Sequence, residues 1–187
     1  MGYIFDPDIL HEVAKRAIDE GGSLRDKVSR IRTELSVLYP DHIRHEDEWV
    51  FNIAGGALGQ MTILHASLTE YIIVFGSPVG TQGYSGRFFA EDYFVILEGE
   101  HWTFAAGDID RRVYRPGERT VLSRGEAKAY RMPDRCYGLE YARGFIPSML
   151  PFGLADSFSS TLDPIPVWNT MRIYARAVVG ELLRGKI

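Results

Sequence analysis

The chain has 187 residues, of which 45% are hydrophobic and 25% charged, a composition typical of one ordinary globular domain. Its net charge of −4 argues against nucleic acid as a partner, because nucleic-acid binding requires a basic surface. The single cysteine, Cys136, excludes an internal disulfide and a multi-cysteine metal site.

The first residues carry acidic side chains where a signal peptide would be basic and then apolar, so no secretion signal is predicted. No stretch approaches the roughly 18 uncharged apolar residues of a membrane span. Apolar residues spaced by three and four over Asp8–Leu38 predict helix, which Gly21-Gly22 divides and Pro40 ends. The small, apolar segment Ile53–Ala66 predicts a short buried helix.

From Glu70 onward the hydrophobic pattern changes to the alternation of β-strands. Turn signals rich in glycine and proline separate the alternating segments. A series of short strands in so few residues is typical of an antiparallel barrel or jelly roll. The predicted strands are 71–75, 87–97, 101–104, 112–114, 120–122, 127–131 and 137–143.

The C-terminal residues return to a helical pattern, with one helix over Pro147–Ser159 and a second after Asp163–Pro166. The second helix separates an apolar stripe from basic residues, as a helix at a membrane surface does. Packing against the barrel or a second copy of the chain is an equal alternative. The stripe consists of Val167, Met171, Tyr174, Val178 and Leu182.

These patterns predict a single domain over residues 1–187. It comprises an N-terminal helical region (1–66), a β-barrel (67–144) and C-terminal helices (145–187).

Glu140 lies in the middle of a predicted strand, on the same face as Gly138 and Ala142. These small neighbours leave space beside the carboxylate. If that face is the inside of a barrel, burial raises the pKa of Glu140 and keeps it protonated near neutrality, as acid catalysis requires. The alternative is a solvated glutamate with small neighbours.

Asp92 and Glu91 lie on opposite faces of another strand, and either acid would have apolar neighbours. Two carboxyl groups close together in an apolar interior do not both ionise easily, so one keeps a proton and the other is a base. A structural salt bridge is an equal explanation for Asp92. Tyr71, Ile73 and Phe75 share a face and could line a pocket or form a plain core.

Other motifs give weaker indications. Gly80–Gly86 resembles a phosphate loop, but the residues after it predict a strand rather than a helix. His42 and His45 lack the spacing of zinc hydrolases, and His101 alone in the strand region disfavours a metal cupin. His65 is expected to be a hydrogen-bonded core histidine. Neither Ser85 nor Cys136 adjoins a His–acid arrangement, so nucleophilic catalysis is unsupported.

Several long segments resemble the family of fungal C-8 sterol isomerases and sigma-1 receptors. The likeness extends from about Phe5 to the C-terminal helix, nearly the whole chain, and ungapped motifs of this length are highly specific. The segments are LHASLTEYIIVFG (64–76), GYSGRFFAEDYFVILEG (83–99), YRPGE (114–118) and LEYARGFIPSMLPFGLADSFSSTLD (139–163).

This resemblance implies a mainly β fold. The expected architecture is a cupin-like barrel of the jelly-roll type, with N-terminal helices and two C-terminal amphipathic helices that rest on a membrane and close the pocket. It also implies a homotrimer, peripheral to the endoplasmic reticulum membrane in a eukaryote or to the cytoplasmic face of a membrane otherwise. Isomerase members shift the sterol B-ring double bond from Δ8 to Δ7 without a cofactor or metal. Receptor members bind hydrophobic amines through a buried glutamate that matches Glu140.

Two departures from the receptor pattern bear on function. The receptors' second pocket acid falls at Phe94, whereas AEDYFVIL (90–97) resembles the isomerase version, with Asp92 two residues earlier on the same strand face. This favours an isomerase over a non-catalytic binder of hydrophobic amines, sterols or other lipids. We also expect no N-terminal membrane anchor, so membrane attachment would rest on the C-terminal helices.

The implied mechanism is acid catalysis. One acid of the Glu140–Asp92 pair protonates C9 of a Δ8 sterol, its ionised partner stabilises the cation at C8, and a base removes a proton from C7. Glu140 is expected to face the cation, and cationic amphiphilic amines would inhibit as cation mimics. Which acid donates, and whether Glu91 replaces Asp92, stay open. The same match implies a substrate pocket lined by Tyr71, Ile73, Phe75, Phe94, Leu150 and Tyr174.

Overall fold

The computed structural model describes residues 2–186. The chain begins with two helices, α1 (Pro7–Asp19) and α2 (Leu24–Leu38). Ser23 caps α2 with its side chain, as the first residues of a helix require. Gly21-Gly22, both with positive φ, make the break between the helices that the sequence predicts.

Within residues 2–186 the remaining chain before the C-terminal helices folds into two antiparallel sheets. The strands are β1 (Val50–Ala54), β2 (Ala57–Ala66), β3 (Glu70–Ser77), β4 (Thr81–Tyr84), β5 (Ala90–Glu98), β6 (His101–Phe104), β7 (Arg112–Tyr114), β8 (Arg119–Leu122), β9 (Ala129–Met132) and β10 (Cys136–Gly144). The larger sheet is 6-stranded, in the order β1-β2-β3-β10-β5-β8. The smaller sheet is 4-stranded, in the order β4-β9-β6-β7.

The predicted fold class, mainly β with helices at both ends, is confirmed. The barrel is not closed, because no strand pair in the described part of the chain joins the two sheets by a ladder of hydrogen bonds. The sheets instead face each other as the two halves of an open jelly roll.

The six-stranded sheet is covered on both faces. Helices α1 and α2 pack against one face, where Leu139 and Tyr141 of β10 point. Phe75, Phe94 and Met132 belong to a second core between the two sheets. Because strand side chains alternate, Glu140 faces this second core and not the helices.

The helix predicted over Ile53–Ala66 is wrong, since β1 and β2 form a hairpin there. Gly55 (φ 59°) and Gly56 (φ 84°) occupy its two-residue turn, which requires positive φ at both positions. Strand β2 is buried on both faces over most of its length, so its sequence lacks the alternation of a half-exposed strand. The N-terminal helical region therefore ends before Val50.

A short 3₁₀ helix (Ile146–Met149) leads from β10 into α3 (Leu150–Ser159), and α4 (Pro164–Leu183) completes the described fold. Both predicted C-terminal helices are thus present. Among residues 2–186, no helix is long and apolar enough to cross a bilayer.

The apolar stripe predicted on α4 is partly wrong. Ile173 and Glu181 are buried, whereas Leu182 is 43% exposed. The Glu181 carboxylate lies 2.7 Å from Nδ1 of His42, and this contact holds a polar residue on the buried side of the helix. A hydrophobicity pattern could not place such a stripe.

Candidate active site

Glu140 lies at the centre of a three-stranded ladder made by β3, β10 and β5. It is paired with Ile73 of β3 on one side and with Phe94 of β5 on the other. Directly paired side chains lie on the same face of a sheet, so all three point between the two sheets.

The next row of the ladder brings two more polar groups to the same face. Ala142 is paired with both Tyr71 and Asp92. Its methyl group leaves room between them, and the Tyr71 hydroxyl reaches diagonally to donate a hydrogen bond to Oε1 of Glu140. The ladder therefore gathers a phenol and two carboxyl groups from three strands.

This face is one wall of an internal cavity, which the four-stranded sheet lines on the opposite side and α3 and α4 cover at one end. The cavity volume, counted as the space open to the centres of water molecules, is about 230 Å³. By the same measure one water molecule needs only roughly 10–15 Å³. Every site residue predicted from the sequence lines this cavity: Tyr71, Ile73, Phe75, Asp92, Phe94, Glu140, Leu150 and Tyr174.

The two carboxyl groups differ in their surroundings. Burial raises the pKa of Asp92 well above its usual range, and the nearby Glu140 raises it further. Oδ1 of Asp92 is enclosed and has no hydrogen-bond partner in the described part of the chain. Burial also raises the pKa of Glu140, but the hydrogen bond from Tyr71 acts against this rise by stabilising the carboxylate. These surroundings favour the proton on Asp92 over the proton on Glu140.

Tyr71 remains a donor throughout. Burial and the two carboxyl groups raise the pKa of its hydroxyl well above the usual value, so it keeps its proton at any physiological pH. Glu140 thus accepts a hydrogen bond from a group that does not itself ionise.

Glu91, the alternative partner acid, points to the opposite face of β5. Its carboxylate forms an ion pair with Arg143 at 2.8 Å, and this contact lowers the pKa of Glu91. Glu91 is thus an ionised group outside the cavity, and Asp92 is the acid that lies beside Glu140.

The space that Gly138 leaves beside Glu140 is already filled. A Cβ atom on Gly138 would lie 2.4 Å from the ring of Phe94, which therefore packs directly over the glycine. The expectation of ligand space at this position is wrong, whereas the adjacent cavity is real. Because Gly138 has no side chain, the Phe94 ring can pack against its Cα atom.

Several polar residues of the cavity come from the opposite side and were not predicted as site residues. Lys128, His101 and Tyr130 line it from β6 and the segment around β9. Lys128 adds a positive charge, so the carboxyl group of Glu140 is not the sole charge of the pocket. Alternation along these strands could have identified inward residues, but the sequence does not reveal which sheet faces Glu140.

The remaining candidates have other roles in the structure. Nδ1 of the buried His65 lies 2.7 Å from the carbonyl oxygen of His42, as expected for a core histidine. The Gly80–Gly86 loop contains β4 and no helix follows it, so it lacks the geometry of a phosphate loop. Burial raises the pKa of Cys136 to about 12, which makes it a poor nucleophile. Residues 2–186 hold no group of three or more potential ligands placed to bind a metal.

Comparison with known proteins gives a full-length match. The model of the family "ERG2 and Sigma1 receptor like protein" matches residues 1–186. The chain is 48% identical over 186 residues to the C-8 sterol isomerase ERG2 of Gibberella zeae, covering 99% of this chain and 79% of that protein. It is 40% identical over 182 residues to the sigma non-opioid intracellular receptor 1 of Danio rerio, covering 96% and 81% respectively.

Some solved structures are similar to part of the chain. One is a predicted oxalate decarboxylase from Thermotoga maritima (TM-score 0.47, 15% identity, 55% of this chain and 97% of that chain). Another is an RmlC-like cupin from Shewanella frigidimarina (TM-score 0.46, 14% identity, 55% and 90%). These likenesses concern the fold alone.

Proposed function

The chain belongs to the family of ERG2 and Sigma1 receptor like proteins, and we propose that it is a cofactor-independent C-8 sterol isomerase, which moves the B-ring double bond from Δ8 to Δ7. Fungal relatives at 45% to 48% identity carry the name C-8 sterol isomerase. The observation that supports the activity best is the Asp92–Glu140 pair in an apolar cavity, because protonating a carbon–carbon double bond requires an acid that keeps its proton near neutrality.

The two acids have distinct roles in this proposal. Asp92 is the proton donor, because burial and the neighbouring charge hold its proton in place. Glu140 is the carboxylate that faces the cation, because Tyr71 stabilises its ionised form. The mainly apolar surroundings strengthen the attraction between this carboxylate and positive charge on the sterol.

The reaction then proceeds in two proton transfers. Asp92 delivers its proton to C9, the electrons of the C8–C9 double bond form the new C9–H bond, and a tertiary cation remains at C8. Glu140 stabilises that cation and accepts the proton from C7, whose C–H electrons form the C7–C8 double bond. The products are the Δ7 sterol, ionised Asp92 and protonated Glu140. Before the next turnover Glu140 releases its proton to the solvent and Asp92 takes one up from it.

Turnover of a Δ8 sterol in deuterated water tests this proposal. We expect a Δ7 product with deuterium at C9, detected by mass spectrometry and NMR. Asp92→Asn and Glu140→Gln should each lower kcat by a factor of at least about 100, the scale of general acid–base catalysis. Glu91→Gln is the matched control outside the cavity and should retain activity. Absence of both product and deuterium would refute the isomerase.

A receptor-like binder is the second candidate, favoured by Glu140 as a buried counter-charge for an ammonium group. Hydrophobic amines should bind the cavity in either case, as inhibitors of an isomerase or as ligands of a receptor. Affinity for such an amine that falls in Glu140→Gln, together with no turnover of Δ8 sterol, would identify the receptor-like function.

We also propose that α3 and α4 rest on a membrane, that of the endoplasmic reticulum in a eukaryotic cell, and that residues 1–187 form one domain of a homotrimer. Exposed apolar side chains of these helices support the membrane contact, because a soluble surface rarely groups so many. They include Phe158, Leu162, Ile165 and Trp168. Analytical ultracentrifugation in mild detergent would distinguish a trimer from a monomer.

A further inference from the structure

The two ends of the cavity differ in polarity. Strand β10 leads straight into the 3₁₀ helix and α3, so the row of Tyr71 and Asp92 lies at the end that the C-terminal helices cover. That end is lined by apolar side chains of the helical segment, among them Ile146, Leu150 and Phe152. Strand β5 runs the opposite way, and the turn after it leads into the four-stranded sheet at His101, at the far end beyond Phe94.

His101 is a buried polar group without a partner. Its side chain is only 7% exposed, and its ring lies between those of Phe94 and Tyr130, at centroid distances of 4.9 and 5.2 Å. Nδ1 is enclosed, and neither ring nitrogen has a hydrogen-bond partner within residues 2–186. Leaving a buried polar group unpaired is unfavourable, which makes such groups rare in native proteins.

The histidine is neutral at physiological pH. Burial and the positive charge of Lys128 lower the pKa of His101 to about 4. A neutral imidazole presents one donor and one acceptor, so its natural partner is a hydroxyl group, which can act as either. Asp92 belongs to the next row of the ladder, nearer the helices, whereas Glu140 is paired directly with Phe94.

We propose that the imidazole of His101 hydrogen-bonds the 3β-hydroxyl of the substrate and thereby determines which end of the sterol enters the cavity first. This inference rests on the proposed function. A sterol carries its hydroxyl on ring A and an alkyl chain on ring D, with ring B between them. The hydroxyl at His101 and the chain against the C-terminal helices place ring B beside Glu140. His101 is thus a positioning residue that touches no reacting atom.

Equilibrium binding of a radiolabelled Δ8 sterol and of its 3-deoxy analogue to the 187-residue protein tests the inference. The unmodified protein should bind the hydroxylated sterol about tenfold more tightly, the ratio expected for one hydrogen bond to an otherwise unpaired buried group. His101→Phe keeps a ring between Phe94 and Tyr130 but lacks both nitrogens, so it should bind the two sterols equally. His45→Phe, the same change on an exposed loop, should keep the tenfold ratio.

The outcomes separate this inference from the isomerase activity. A preference for the hydroxylated sterol that persists in His101→Phe would overturn the role of His101, even in an active enzyme. Equal affinity of the unmodified protein for both sterols would overturn it whether or not the variant folds. A preference lost in His101→Phe and retained in His101→Gln would support it, even if no Δ7 product forms.

Discussion

The hydrogen bond from Tyr71 favours the ionised form of Glu140, whereas burial raises the pKa of Glu140 and favours the protonated form. Tyr71→Phe removes the donor, so the pKa of Glu140 rises and less carboxylate is available at neutral pH. We expect kcat to fall about tenfold or more, since a hydrogen bond to a charged group contributes about 1.5–3 kcal/mol. The acid limb of the pH–rate profile should move to higher pH.

The control for this prediction is Tyr39→Phe. The Tyr39 hydroxyl accepts from the backbone N–H of Asp6 at 3.4 Å, far from the cavity. Its rate and pH profile should match those of the unmodified protein. An acid limb that stays in place in Tyr71→Phe would show that the phenol does not tune Glu140.

Asp92 makes the stability of the fold depend on pH. Its folded pKa lies above the unfolded value of about 3.9, so the stability that its proton contributes is fully present below that pH and is lost as pH rises toward the folded pKa. Asn does not ionise, so the free energy of unfolding of Asp92→Asn should be about 1 kcal/mol or more above that of the unmodified protein at pH 8. At pH 4 the variant should have no such advantage.

Urea unfolding at the two pH values measures this difference. The exposed Asp134 supplies the control, and Asp134→Asn should change stability by less than about 0.5 kcal/mol at either pH. A variant Asp92→Asn that gains nothing at pH 8 would contradict a buried, protonated Asp92.

At the scale of elements, strands β10 and β5 are in close contact where Gly138 meets the ring of Phe94. The ring of Phe94 occupies the place of a side chain at Gly138, so Gly138→Ala forces the ring into the cavity. We expect unfolding free energy to fall by about 1–3 kcal/mol and sterol affinity to fall with it. The double variant Gly138→Ala/Phe94→Leu should regain part of both, measured by denaturation and binding.

Gly180→Ala on α4 is the matched glycine control. Its added Cβ would lie 3.4 Å from a flexible arginine side chain, so a helix interior gains a better helix former at little steric cost. Stability should rise slightly there and binding should stay constant. Equal, small effects at both glycines would argue that Phe94 moves freely.

The two N-terminal helices were predictable from the sequence, and the hairpin of β1 and β2 was not. The helical spacing of α1 and α2 follows from one buried and one exposed side on each helix. Strand β2 presents apolar residues in both directions, so a helix was an equally good interpretation of its sequence. Only the glycine pair at 55–56 signals the hairpin, through its need for positive φ.

The residues of the candidate site also differ in whether the sequence could predict them. Alternation along single strands places Tyr71, Asp92 and Glu140 on definable faces, and the structure brings those faces together. His101 and Lys128 enter from the opposite sheet, whose position depends on long-range packing that no local pattern encodes.

At the scale of the whole molecule, one face of the large sheet forms the apolar core and the other face carries the candidate site. The face toward α1 and α2 is an apolar core, and the buried Glu70 lies beside it. The Glu70 carboxylate accepts hydrogen bonds from the backbone N–H groups of Ile4 and Phe5, and it forms an ion pair with Lys186 at 2.7 Å. These contacts fasten both ends of the described chain to β3. The opposite face can therefore hold unfavourable buried carboxyl groups without loss of the fold.

The membrane contact that we propose lies at the covered end of the cavity. In this proposal a sterol enters from the bilayer through α3 and α4, whose outer surface exposes Trp168 (69%) and Ile165 (65%). Trp168→Glu places a charge in that surface, and we expect sedimentation with liposomes to fall about tenfold or more, because burying a charged side chain at the membrane interface is unfavourable.

Val37→Glu provides the matched control, since Val37 is 75% exposed on α2, on the opposite side of the large sheet. It should bind liposomes as the unmodified protein does. With sterol supplied in detergent micelles, Trp168→Glu should retain its kcat, because the carboxyl pair and the cavity wall are unchanged. Loss of turnover in micelles as well would mean that α4 shapes the site itself, and equal liposome binding by both variants would place the membrane contact elsewhere on the surface.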